Sequence, residues 1–193
     1  MICGIDEAGR GCLCGSMFVA GLVCDESKSL WLKEIGVKDS KKISKKKRFQ
    51  LAELILEEKQ IKSCIIKKTS HDIDQRGLSC CLKESIEEII ATLLPFTKRF
   101  YLDGNTIFGI PKNERYILEA IIKGDDKIIQ ISAASVLAKA SKDNEMLELD
   151  EKYPEYDFRN NSGYGTLKHL QSIEIFGQTP FHRKSFMIKK SSF

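Results

Sequence analysis

A chain of 193 residues, 42% hydrophobic and 30% charged, holds enough apolar material for one core-bearing domain and too little for two independent ones. Lys and Arg outnumber Asp and Glu by 31 to 27, and the resulting net charge of +4 permits a nucleic-acid partner without demanding one. No apolar run approaches the roughly 20 residues that span a bilayer, and the first residues lack the basic and hydrophobic regions of a secretion signal, so a cytoplasmic protein with no membrane contact is expected.

The chain opens with Ile2 to Ile5, read as a short buried strand that delivers two adjacent carboxylates, Asp6 and Glu7, into the turn Ala8-Gly9-Arg10-Gly11. Carboxylates bind hard cations through oxygen, and glycines let a backbone come close to a ligand. The stretch therefore reads as a metal-dependent site for a phosphodiester. Ser16 to Cys24 is a continuous apolar run, which predicts an adjacent strand of a buried sheet. A polar loop through Asp39, Ser40, Lys41 and Lys42 ends at Ser44, a helix N-cap. Lys45 to Lys59 follows as an amphipathic helix, with Phe49, Ala52, Leu54 and Ile55 on its inner side.

Ile61 to Thr69 predicts a strand returning to the sheet, and Ser79 to Leu94 a helix stopped by Pro95. Arg99 to Asn105 is a short strand with Asp103 where strand becomes loop. Arg115 to Ile122 gives another strand, and it too ends in an acidic turn, Lys123-Gly124-Asp125-Asp126-Lys127. From Ser132 to about Lys152 the pattern is a long helix that buries Ala133, Ala134, Val136, Leu137 and Ala140, and Leu167 to Phe176 is a short one. Strands interleaved with helices predict an α/β layer architecture. Its sheet is expected to be mixed, because the first two strands follow each other too closely for a parallel crossover. Residues 1–152 are expected to form the catalytic core, and 153–193 a helical extension of the same domain that contributes to substrate binding.

The seven cysteines are an odd number with no CxxC pair and no zinc-like spacing to histidine, which reads as reduced, structural thiols. Ligands gather where strands end in loops, so Asp6, Glu7, Asp103 and Asp125 are candidates to converge. Four carboxylates brought together repel unless cations neutralise them, so convergence predicts bound magnesium or manganese. Two such ions roughly 3.5–4 Å apart can activate water and stabilise the leaving oxygen of a phosphodiester. Asp6 and Glu7 are neighbours and would point to opposite faces of a regular strand, an objection that the glycine-rich turn has to resolve. Lys41, Lys42, Lys45, Lys46, Lys47 and Arg48 form the densest basic cluster and Arg183 with Lys184 a second, both suited to phosphates. His169 and His182 read as packing residues, and Asp143 as an ion-pair partner.

Read together, GIDEAGRG near the start, DSKKIS at Asp39 to Ser44, YLDG around Asp103, KGDDK followed by ISAASVLAK, and SGYGT and PFHRKSF in the tail closely resemble the ribonuclease HII family. The resemblance runs over essentially the whole chain. It implies an RNase H-like fold, with a mixed central sheet flanked by helices and a small helical C-terminal part. It also implies a monomeric endonuclease that cuts the RNA strand of RNA–DNA hybrids and nicks 5′ to single ribonucleotides in duplex DNA, leaving a 3′-hydroxyl and a 5′-phosphate. The cellular role implied is removal of ribonucleotides and RNA primers.

By the same resemblance the catalytic acids are Asp6, Glu7, Asp103 and Asp125, holding two Mn2+ or Mg2+ ions, with Lys127 setting the register in favour of Asp125 over Asp126. Gly9, Arg10 and Gly11 match the loop that recognises the ribose 2′-OH through backbone groups, Tyr164 the ring that packs on the following sugar, and Lys42 a phosphate contact. The chain departs from the common GRGPLAGP pattern at Cys12, Cys14 and Ser16, positions that stiffen the loop in relatives, so loop rigidity is open. Two alternatives compete. A type III ribonuclease H is argued against by Arg10 and by a motif that starts at residue 4, and a catalytically inactive nucleic-acid binding module by the presence of all four acids.

Overall fold

The computed structural model describes residues 1–38 and 43–186. Its first two strands, β1 (Ile2–Ala8) and β2 (Met17–Cys24), pair antiparallel from Ile2 opposite Cys24 to Ala8 opposite Phe18. β1 thus runs past the expected end at Ile5, and Asp6 and Glu7 are strand residues. Every residue of β2 is buried, as a continuous apolar run requires when both edges are paired and both faces covered.

Next in the chain come α1 (Glu26–Glu34), α2 (Lys45–Glu57), β3 (Lys62–Lys68), α3 (Ser70–Arg76) and α4 (Leu78–Leu93). They are followed by β4 (Arg99–Asp103), β5 (Ile117–Ile121), α5 (Gly124–Lys127), α6 (Ile129–Lys152), α7 (Phe158–Asn161) and α8 (Leu167–Phe176). The sheet order is β3-β2-β1-β4-β5. β3 pairs antiparallel with β2, whereas β4 pairs parallel with β1 and β5 parallel with β4, so the sheet is mixed as expected.

One face of the sheet is covered by α1, α2 and α6, where Phe18, Ala20 and Leu22 meet Leu51, Ile55, Ala134 and Leu137. The other is covered by α3 and α4, where Cys3, Ile5 and Val19 meet Ile73, Leu82, Ile86 and Ile89. On α2 the buried residues are Leu51, Ala52 and Ile55, while Leu54 is 41% exposed. Leu54 lies off the stripe made by positions 51, 52 and 55 at 3.6 residues per turn, which corrects its expected inward placement. Hydrophobic periodicity does not announce α1 and α3; their N-termini are set by side-chain caps, Asp25 accepting from Lys28 N–H and Thr69 forming a reciprocal capping box with Asp72.

Gly4 sets how closely α6 sits on β1. A Cβ there would lie 2.2 Å from the backbone of Gln130 and Ile131, so only glycine admits the start of the helix.

Beyond α6 a 3-10 turn (Pro154–Tyr156), α7 and α8 fold back onto the opening loop, where Cys14, Met146, Leu149, Tyr156 and Phe158 form a third apolar cluster. His169 and His182 are buried against these rings, with their Nε2 atoms 3.0 Å apart. Thr179 N–H donates to His182 Nδ1, so His182 Nε2–H donates to His169 Nε2, and His169 Nδ1–H donates to the Tyr164 carbonyl at 2.8 Å. Burial, reinforced by the neighbouring ring, holds His182 at about 4, so the pair packs as neutral imidazoles. All seven cysteines are free thiols. Among the described residues no helix is long and apolar enough to cross a membrane.

The contact at Gly4 is testable. Gly4→Ala is expected to lower the unfolding free energy by about 3 kcal/mol, because neither the strand nor the helix backbone can move aside. Denaturant melts that differ by less than about 1 kcal/mol would contradict this close packing.

Candidate active site

The parallel ladder between β1 and β4 covers only Cys3–Ile5 against Phe100–Leu102. Beyond it the sheet opens, and both Asp6 and Glu7 line one cleft although strand alternation sends them to opposite faces. Asp103 ends β4, and its Oδ1 accepts the Gly124 N–H at 2.7 Å. Asp125 follows in α5, where Ser132 Oγ donates to its carbonyl at 2.6 Å. Each of Asp6, Asp103 and Asp125 offers an oxygen within 4.8 Å of the others. Asp125 is buried and Asp126 is exposed, so the structure brings the first of the two into the cluster.

Burial pushes the Asp6 carboxyl upward, and the Asp103 charge adds to it, while Lys139 and Ser135 act the other way; Lys139 Nζ stands 3.7 Å from Asp6 Oδ2. Glu7 lies beside Asp6 and Asp103. Burial, then the Asp6 charge, carries it up to about 7, opposed by Arg10, whose Nη1 is 3.7 Å from Oε1. The cleft has a volume of about 370 Å³, and its lining includes Asp6, Glu7 and Asp103 with Gly9, Arg10, Lys139 and Tyr164. A larger groove of about 650 Å³, between α2 and the end of α6, contains none of the clustered acids.

Gly9 turns the chain out of β1 with φ of +82°. The carbonyls of the following loop are then taken up from behind. Arg183 donates from Nη2 to Gly9 at 2.6 Å, from Nη1 to Arg10 at 2.9 Å and from Nε to Gly15 at 3.1 Å. Lys142 Nζ donates to the Cys14 carbonyl at 3.0 Å, and Glu145 accepts from Ser16 N–H at 2.8 Å and from Ser16 Oγ at 2.5 Å. The amides of Leu13 and Cys14 donate to the Gly163 carbonyl, and Cys12 and Cys14 are fully buried. This loop is thus held by side-chain and backbone hydrogen bonds. Gly11 faces Tyr164: a side chain built on it would come within 3.7 Å of the ring, which is 50% exposed.

The basic candidates divide. Lys45 donates to the Arg159 carbonyl at 2.5 Å and pairs with Asp143, which also pairs with Arg48 at the rim of the cleft. Lys46, Lys47 and Lys184 are exposed, and Lys42 lies outside the described residues. Arg183 is 1% exposed, so it faces the loop and not solvent phosphates. Sequence reasoning passed over Lys139, Lys142 and Glu145. Their signal is a polar stripe, Ser135, Lys139, Lys142 and Glu145, at helical spacing through an alanine-rich helix.

Carboxylates gathered from within β1, from the end of the parallel strand β4 and from the short helix after β5, on a mixed five-stranded sheet, define a metal-dependent nuclease of the RNase H-like fold. The chain belongs to the ribonuclease HII family, which residues 3–189 match. It is a metal-dependent endoribonuclease H, a hydrolase acting on phosphodiester bonds. Ribonuclease HII of Helicobacter acinonychis is 52% identical over 194 residues, covering 100% of each chain. The ribonuclease HII of Archaeoglobus fulgidus, solved in complex with PCNA, superposes with a TM-score of 0.79 at 30% identity over 100% of this chain and 98% of that one. Bst-RNase HIII, solved with Mn2+, shares the fold at a TM-score of 0.67 and 16% identity over 91% of this chain and 63% of that one.

Mutual repulsion in the cluster predicts an inverted stability response. In chelator, Asp103→Asn is expected to melt at or above the temperature of the parent protein, because one like charge is gone and Oδ1 still accepts from Gly124. Added Mn2+ should raise the melting temperature of the parent and leave the variant nearly unmoved. Equal metal-dependent shifts in the two proteins would contradict the cluster as the metal site.

Proposed function

We propose that the protein hydrolyses the RNA strand of RNA–DNA hybrids and nicks duplex DNA on the 5′ side of a single embedded ribonucleotide, leaving a 3′-hydroxyl and a 5′-phosphate. The observation that carries this reading is the juxtaposition, in one cleft, of Asp6, Glu7 and Asp103 with Gly9, Arg10 and Tyr164, the last facing Gly11. Removal of ribonucleotides and RNA primers from DNA is the role that such chemistry serves.

The donor set is all oxygen, which fits a hard divalent ion, and its members stand close enough to share one. Asp6, Glu7, Asp103 and Asp125 would hold two Mn2+ or Mg2+ ions, which when bound supply activation of water and charge stabilisation at the phosphodiester. The chain's own residues then divide the remaining work. Lys139 and Arg10 offset part of the carboxylate charge and keep the cluster intact before substrate arrives. Backbone amides of Gly9 to Gly11 have hydrogen-bonding capacity for the 2′-OH, the group that separates a ribonucleotide from a deoxynucleotide. The half-exposed ring of Tyr164 offers an apolar platform to the next sugar. Discrimination comes from the loop and hydrolysis from the acids, which explains why both occupy one cleft.

A labelled duplex with one ribonucleotide tests this. A single nick 5′ to the ribonucleotide is expected in Mn2+ or Mg2+, with none in chelator and none in the all-deoxy duplex. Equal cutting of the all-deoxy duplex, or metal-independent nicking, would contradict it.

A further inference from the structure

Arg183 is among the largest fully buried side chains of the protein, and the donors of its guanidinium go to backbone carbonyls: Gly9, Arg10 and Gly15. Burying a charge is costly unless it is richly hydrogen-bonded, so these bonds determine where the three carbonyls can lie. In a trans peptide the carbonyl of one residue and the N–H of the next point in opposite directions. Drawing the Gly9 and Arg10 carbonyls inward to Arg183 therefore sends the amides of Arg10 and Gly11 to the other side of the loop, where Gly9 and Arg10 line the cleft. The segment that carries the side chain is itself fixed. The Arg183 backbone N–H donates to the Leu13 carbonyl at 2.8 Å, the Phe186 ring centroid lies 5.1 Å from the guanidinium carbon, and Asp74 accepts from Lys184 N–H, Ser185 N–H and Ser185 Oγ.

We propose that Arg183 is a positioning residue for ribonucleotide recognition: it orients the peptide planes after Gly9 and Arg10 so that the amides of Arg10 and Gly11 face the ribose. This deepens the reading of the loop given above and rests on it. A lysine keeps the charge but cannot reach three carbonyls in a fixed fork. Misplacement of a bound group by about 1 Å costs on the order of 100-fold in rate.

The test is Arg183→Lys, assayed on the one-ribonucleotide duplex alongside calorimetric Mn2+ titration of the same preparation. kcat is expected to fall about 100-fold, with KM and the number of Mn2+ sites unchanged. A second variant, Asp74→Ala, frees the turn from the surface side and is expected to lower kcat in the same direction by about 10-fold. A folded Arg183→Lys with unchanged kcat overturns the proposal, as does a fall in kcat matched by an equal fall in Mn2+ sites, which marks lost fold. Where Arg183→Lys shows no cooperative melt, Asp74→Ala decides: unchanged kcat overturns the proposal, and lowered kcat with intact Mn2+ sites supports it. A parent protein that cuts all-deoxy duplex equally removes the loop reading and this proposal together; a discriminating parent with unaffected variants removes this proposal alone.

Discussion

Three carboxylates with oxygens within 4.8 Å of one another repel, and the fold holds them there. Asp6 is placed by the pairing of β1 with β2, Asp103 by the end of β4, and Asp125 by the turn that follows β5. None of these positions can relax without breaking a ladder or uncovering a helix. Repulsion is therefore stored in a rigid frame, and a divalent cation is the natural way to relieve it. Lys139 and Arg10 relieve part of it from the protein side.

The helix α6 couples that frame to the rest of the site. At its start it lies on Gly4 with no room for a Cβ, one turn of its polar stripe sends Lys139 toward Asp6, and the next sends Lys142 and Glu145 to the loop that leaves β1. Its last turns carry Met146 and Leu149 into the cluster that seats the C-terminal part. From there Arg183 reaches back to the carbonyls of Gly9 and Arg10. Residues from both ends of the sequence thus shape one loop of a few residues. That loop is held by hydrogen bonds from Arg183, Lys142 and Glu145.

Much of this was legible in the sequence. The β-branched runs gave the strands, and acids placed at their ends marked the cluster before any geometry was known. Other features depend on contacts that no local pattern carries. The strand β1 continues past Ile5 because β2 pairs with it through Ala8, and that pairing is a property of the sheet. Arg183 looked like a surface cation beside Lys184, since nothing in HRKS distinguishes a guanidinium facing solvent from one facing carbonyls 168 to 174 residues away. The helices α1 and α3 were readable in principle, from Asp25 and from the Thr69–Asp72 capping box, but only by weighing caps above hydrophobic period. Leu54 shows the reverse error, in which an apolar residue near the right phase is counted as core.

The most direct measurement is anomalous diffraction at the manganese edge from crystals soaked in Mn2+. Anomalous peaks are expected between the carboxylates of Asp6, Asp103 and Asp125, with side-chain oxygens as ligands. An empty cluster in crystals that hold manganese elsewhere would contradict the convergence of these acids as the metal site.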